Sequence, residues 1–277
     1  MPSRNTRINL LAGVAVAAMV TATTTAEAAR CGNGPGGFNT WLSQFKAEAR
    51  AKGISGRTIS RAFAGVTYNP KVIRLDRGQR SFKQSFAHFY KRRASRWLLN
   101  KARGKLKRHA RLLSRIEQRY GVPPEIVITI WGMESTFGQL SGKMNIIRSL
   151  STLAYDCRRS QFFTNELHAA LRIIDRGDMG PAQMRGGWAG EIGQTQFLAS
   201  SYVKYAVDFD GNGRRDLIRS IPDVLASTAN FLKRHGWRRG EPWGPGTHNF
   251  AVLKQWNRAS VYQRTIAKAA AVLAGRG

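Results

Sequence analysis

Apolar residues recur along this chain mostly at helical spacing, and strand-like alternation is scarce. Trp41, Leu42, Phe45 and Ala49 fall on one face of a helix. Leu98, Leu99, Ala102, Leu106, Leu113 and Ile116 predict a longer helix ending at Tyr120-Gly121, whose other positions are Lys and Arg, a solvated basic face. Pro123-Pro124 suits the first turn of the next helix. Ile126, Ile130, Met133 and Phe137 line one side of that helix, and Gly138 is expected to stop it. Pro222 opens another, with Val224, Leu225, Thr228, Phe231 and Leu232 inward and Gly236 as its C-terminal stop. Glycines and short polar runs over residues 177–193 predict a loop-rich wall around a cleft, and no internal repeat breaks the chain into units.

The N-terminus departs from this pattern. Arg4 and Arg7 precede an apolar run from Ile8 to Val20, and a Thr-rich stretch leads to Ala26-Glu27-Ala28, an A-x-A cleavage pattern. The run is too short to span a bilayer. Residues 1–28 therefore read as a secretory signal peptide, and residues 29–277 as the exported domain, periplasmic and without an integral membrane span after cleavage. The alternative is an uncleaved anchor. Arg30 before Cys31 fits poorly with a lipoprotein cleavage site.

Composition narrows the function. A hydrophobic content of 42% suffices for a core despite the charge. The formal net charge of +29, from 45 Lys+Arg against 16 Asp+Glu, implies a polyanionic partner. Export weakens nucleic acid as that partner and leaves wall polymer or membrane surface. Two cysteines, Cys31 and Cys157, exclude a Cys-rich zinc module, and in an oxidising compartment they are expected to pair. The five histidines lack a ligand spacing, which argues against a zinc enzyme.

One carboxylate stands apart. Glu134 lies near the end of an apolar helix, with Ile130 four residues before it and Phe137 three after, so no cation shares its face. Desolvation and the helix C-terminus both disfavour its charged form. A carboxylic acid kept protonated near neutral pH is what general acid catalysis on a glycosidic oxygen needs. The plainer reading is a solvent-facing Glu at a helix end. A second stretch, Trp188 to Phe197 (WAGEIGQTQF), joins glycines, amides and aromatics, the groups that bond sugar hydroxyls and stack on sugar faces.

Together these segments resemble the lytic murein transglycosylases of the membrane-bound B type, in the lysozyme-like superfamily. The matching blocks are Trp131 to Gly138, Leu150 to Arg159 (LSTLAYDCRR), Arg185 to Tyr202 (RGGWAGEIGQTQFLASSY) and Ala206 to Trp237. The resemblance covers about Gly37 to the C-terminus. It implies a mostly α, lysozyme-like α fold with a long substrate cleft and little β structure. It also implies non-hydrolytic cleavage of the β-1,4 bond between N-acetylmuramic acid and N-acetylglucosamine in peptidoglycan glycan strands, leaving 1,6-anhydromuramoyl ends. By the same resemblance Glu134 is the single catalytic acid/base, and Gln196, Asn257 and Tyr262 are substrate-binding residues. Trp256 keeps an aromatic surface where the family has Tyr but loses the hydroxyl. Gly187 stands where the family often has Ser, and Phe231 where relatives can have Tyr. These departures lend some support to a catalytically silent peptidoglycan-binding or scaffold protein on the same fold.

The chemistry follows from the carboxylate count. Hydrolases of the usual types need two carboxylates flanking the bond. Asp156 precedes Cys-Arg-Arg and is expected to be ion-paired, while Glu191 either approaches the cleft or is a rim charge. With one acid, Glu134 protonates the leaving oxygen and then takes the proton of the muramoyl C6 hydroxyl, which attacks C1 in place of water. No cofactor is needed for that chemistry. Separately, Asp208, Asp210, Asn212 and the Arg214 carbonyl occupy positions one, three, five and seven of a calcium-loop pattern. Arg219 stands at position twelve where a standard loop has Glu; the family closes a modified loop with a later Asp, which Asp223 matches. The alternatives are a structural calcium and a turn held by its own side chains.

Overall fold

A computed structural model describes residues 30–78 and 84–276; the segment read as a signal peptide lies outside the described residues. Thirteen α-helices follow in order: α1 (Phe38–Ala51), α2 (Gly56–Ala62), α3 (Pro70–Arg77), α4 (Phe86–Arg93), α5 (Arg96–Arg108), α6 (Ala110–Tyr120), α7 (Pro124–Ser135), α8 (Ile146–Tyr155), α9 (Ser160–Asp175), α10 (Ala199–Tyr205), α11 (Ile221–Arg234), α12 (His248–Trp256) and α13 (Ser260–Leu273). Among the described residues the only sheet is a two-stranded antiparallel ribbon, β1 (Met144–Asn145) against β2 (Arg185–Gly186). The expected mostly α fold with little β structure is what the chain adopts.

The centre is α7. Ile126 through Met133 are all buried, so the helix is enclosed on every side rather than lined on one face as its periodicity suggested. It packs against α5, α6, α11 and α13. Pro123 is its N-cap and Pro124 its first residue, as expected of a residue that lacks an N–H and has a pre-set φ. It stops at Ser135, not at Gly138. Thr136 and Phe137 both take left-handed backbone angles, φ 54° and 58°. The Ser135 hydroxyl holds that bend by accepting the Gly138 N–H at 2.8 Å and donating to the Gln194 carbonyl.

The long basic helix expected from Leu98 to Tyr120 is two helices, α5 and α6, broken at His109 (φ −106°, ψ 20°), which ends one and begins the other. The apolar pattern did not reveal the break. The last fully buried residue of α5 is Ala102 and the first of α6 is Leu113, eleven positions on, close to a whole number of helical turns. Gly121 closes α6 in the left-handed conformation at φ 73°.

The N-terminal segment is tied to the helical body. Cys31 and Cys157 form a disulfide across 126 residues of sequence with their Cα atoms 5.0 Å apart. Beside it the Gly32 N–H donates to the Tyr155 carbonyl at 2.9 Å. Asp156 is ion-paired as expected, but by Arg77, whose guanidinium meets both carboxylate oxygens at 3.1 and 2.8 Å. Arg158 and Arg159 turn instead to the buried Asp76.

Candidate active site

Glu134 is the next-to-last residue of α7 and sits half-buried at the floor of a cleft of about 440 Å³. The walls come from the loop after β2 (Gly187, Trp188, Glu191, Gln196, Phe197), from α11 (Phe231) and from the end of α12 (Trp256, Asn257). Of the stretch 177–193 expected to form the cleft wall, Gly187, Trp188 and Glu191 line this cleft, while Asp178, Met179 and Arg185 line a separate pocket. Gln194 joins this wall to α7. Its Oε1 accepts the Trp131 indole N–H at 2.8 Å and its Nε2 donates to the Ile218 carbonyl at 2.7 Å.

Two donors converge on one oxygen of Glu134. The Trp256 indole N–H reaches Oε1 at 2.8 Å and the Tyr262 hydroxyl reaches it at 2.6 Å. No protein donor reaches Oε2 among the described residues. Burial pushes the carboxyl above the usual range; the Tyr262 and Trp256 hydrogen bonds and the Arg93 charge pull the other way, and the Glu191 charge adds to the rise. Since Oε1 is already filled by two donors, the proton of the neutral acid sits on Oε2. Arg93 is fixed by donating to the Met133 carbonyl at 2.7 Å.

The other expected residues fall into two groups. Gln196 and Asn257 line the cleft. Gln196 has φ 53°, and its Nε2 donates to the Ser141 and Gly193 carbonyls, which leaves its Oε1 without a protein partner among the described residues. Asn257 caps α12, and its Oδ1 accepts the Ala259 N–H at 2.9 Å. Tyr262 is buried at 3% exposure and its hydroxyl is spent on Glu134, a position behind the acid. Burial and the neighbouring Glu134 charge lift its phenol well above the ordinary tyrosine range, so it stays a donor.

Sequence reasoning missed two things and left a third open. Trp256 was read as an aromatic surface lacking a hydroxyl; it has a polar role all the same, its indole N–H donating to Glu134 Oε1. Arg93 gave no signal, being one of three consecutive cations. Glu191 is a cleft residue rather than a rim charge, and its Oε2 accepts the Ala189 N–H at 3.1 Å. Gly187 explains how it fits, because a Cβ there would come within 2.1 Å of Glu191 Oε2. Burial raises the Glu191 carboxyl as well.

The Asp208 loop lies away from this cleft. The carboxylates of Asp208, Asp210 and Asp223 come within 4.8 Å of one another. Asp208 accepts the Gly211, Asn212 and Gly213 N–H groups, and the Asn212 side chain accepts the Arg214 N–H at 2.9 Å. Asp223 is fully buried at the start of α11, where it accepts the Phe209 and Asp216 N–H groups at 2.7 and 2.8 Å. Arg219 pairs with Asp216 rather than closing the loop.

The sequence profile of the transglycosylase SLT domain family matches residues 37–246. The chain belongs to that family. Within it, 130 residues are 41% identical to the membrane-bound lytic murein transglycosylase B of Escherichia coli (strain K12), a stretch covering 47% of this chain and 36% of that relative. The match thus spans about a third of the relative's length. Among solved structures, SltB3 from Pseudomonas aeruginosa superposes with a TM-score of 0.82 at 34% identity, over 86% of this chain and 80% of that one. It was crystallised with NAG-anhNAM-pentapeptide and with NAG-NAM-pentapeptide. Escherichia coli Slt35, solved with calcium, has a TM-score of 0.76 at 23% identity, over 90% of this chain and 97% of that one, which bears on the fold alone. The SLT domain match takes in Glu134, Gln196 and the Asp208 loop but ends before α12, so Trp256, Asn257 and Tyr262 lie beyond it.

Proposed function

We propose that the chain is a peptidoglycan lytic transglycosylase. It cleaves the β-1,4 bond between N-acetylmuramic acid and N-acetylglucosamine and leaves 1,6-anhydromuramoyl ends. The observation that carries this reading is the state of Glu134: a carboxyl raised by burial, anchored through Oε1 by Trp256 and Tyr262, with no donor on Oε2 among the described residues. Glu134 gives its Oε2 proton to the leaving glycosidic oxygen. The resulting carboxylate is stabilised by the two donors and by Arg93, and it then accepts the proton of the C6 hydroxyl as that oxygen closes on C1. Glu191 takes no part in the chemistry of this reading: burial pushes it toward its neutral form, with the Ala189 N–H on its Oε2 pulling the other way. Gln196 and Asn257 bind the glycan from the cleft wall, and Tyr262 acts on substrate through Glu134. The relative crystallised with NAG-NAM-pentapeptide supports this substrate class.

Residues 1–28 direct export to the periplasm in this reading, and the Cys31–Cys157 bond accords with an oxidising compartment. The Asp208 loop suits a structural calcium. Asp223 is buried with Asp210 nearby and, among the described residues, no cationic side chain on it, and burial followed by the Asp210 charge raises its carboxyl. A divalent ion held by Asp208, Asp210, Asn212, the Arg214 carbonyl and Asp223 would balance that charge with hard oxygen donors. The ion would be structural, since the loop is not part of the cleft wall.

Glu134→Gln keeps the size of the side chain and removes the transferable proton. Digestion of purified sacculi by the folded variant is expected to fall to background, with no soluble muropeptides detected by mass spectrometry. Full activity in that variant would take the acid away from Glu134.

A further inference from the structure

The cleft leaves one feature of the molecule unused, the concentration of positive charge on α4 and α5. From Arg77 to Ile116 the sequence contains no acidic residue. Helix α5 buries Leu98, Leu99 and Ala102 and exposes Arg96, Trp97, Asn100, Lys101, Arg103, Lys107 and Arg108. Those exposed positions repeat at three and four, so they form a continuous stripe along a helix of 13 residues, about 20 Å long. Lys91 and Arg92 of α4 are exposed as well. None of these cations has a carboxylate partner among the described residues, whereas Arg77, Arg158, Arg176, Arg215 and Arg219 elsewhere all do.

Within the stripe stands an exposed indole. Trp97 is 52% exposed, with the Lys101 ammonium 5.7 Å from its ring centre. An uncompensated cationic face around an exposed tryptophan is the composition of a helix that lies in the headgroup layer of an anionic bilayer. A glycan strand suits the face less well. Sugar hydroxyls need acceptors as well as donors, and the stripe offers only cations and one amide, Asn100, whose Oδ1 is taken by Arg103 at 2.9 Å. The Cys31 sulfur is committed to Cys157, so retention at a membrane through this face would need no lipid on that residue.

We propose that the exposed face of α5 docks the protein on anionic phospholipid membranes, with Trp97 as the interfacial anchor. The inference does not depend on the reaction in the cleft. Docking holds the domain at the bilayer surface through charge and one buried ring, reversibly and in a salt-dependent way.

The test is sedimentation with vesicles of phosphatidylethanolamine and phosphatidylglycerol (seven to three) beside vesicles of phosphatidylcholine. The protein is expected on the anionic vesicles only, and 500 mM salt releases it. The variant Lys101→Gln, Arg103→Gln, Lys107→Gln, Arg108→Gln is expected to lose about a hundredfold or more in partitioning. Its melting temperature and its digestion of sacculi should stay at the parent's level. Trp97→Phe should abolish the extra quenching of tryptophan fluorescence by brominated phosphatidylglycerol, with charge and fold unchanged. Equal binding to both vesicle types, or undiminished binding by the four-charge variant, overturns the proposal. Loss of sacculus binding with vesicle binding retained would overturn it too, and would assign the face to the wall polymer.

Discussion

Glu134 is a residue whose environment opposes its charge, and that opposition has a thermodynamic signature. Its folded-state pKa lies above the unfolded value, so between those two values the folded protein binds more protons than the unfolded chain. Stability from this group is therefore intact below the unfolded pKa and declines as pH rises toward the folded one. Glu134→Gln removes the decline, because the amide oxygen can still accept from Trp256 and Tyr262 and carries no charge to bury. The variant is expected to melt at the parent's temperature at pH 4 and above it at pH 7, followed by circular dichroism. A parent that melts higher at pH 7 would mean the carboxylate is stabilised in place. That Glu134 sits where its charge is opposed was legible in the sequence, because its flanking residues are apolar at helical spacing. Trp256 and Tyr262 were visible only as cleft aromatics. That both turn their polar atoms on one oxygen of Glu134 depends on how α12 and α13 meet α7, which no local pattern encodes.

At the scale of elements, two ties were legible as residue types and needed the fold to become statements. The disulfide joins residues 126 apart and fastens the lead-in to α1 onto the turn between α8 and α9. Loss of such a bridge costs about 2–5 kcal/mol in small secreted domains. Cys157→Ser is expected to lower the melting temperature by several degrees, and reductant should lower the parent's to match without touching the variant's. The Asp208 loop binds α11 to the chain before it through Asp223. Calcium bound only by the folded state raises the melting temperature by mass action. Asp208→Ala is expected to abolish that rise, and identical melting curves in calcium and in chelator would remove the ion from the account. The break at His109 was illegible for a physical reason: both helices keep their buried faces nearly in phase, so the hydrophobic pattern runs through the kink. The end of α7 was misplaced by three residues because a glycine is the usual signal, whereas here the Ser135 hydroxyl and two left-handed non-glycine residues make the turn.

Across the whole molecule the architecture was the most legible part, since helical periodicity is written along much of the described chain and the cleft wall is marked by glycines and amides. Less legible was the placement of charge. The sequence reports an excess of cations; the fold gathers three of the acids, Asp76, Asp156 and Asp178, into buried pairs with arginine and, among the described residues, leaves the exposed cations of α4 and α5 without carboxylate partners. The two acids left in the cleft, Glu134 and Glu191, are both pushed toward their neutral forms. That pairing is where the account is most exposed, because a second carboxylate in a cleft is also what a hydrolase would have. The reaction can be read directly by digesting sacculi in water enriched in heavy oxygen and weighing the released muropeptides. Attack by the internal C6 hydroxyl adds no water, so the account predicts muramoyl ends that are unlabelled and lighter by one water than a hydrolysis product. Heavy oxygen in those ends would contradict it and would make Glu191 the partner of Glu134 in hydrolysis.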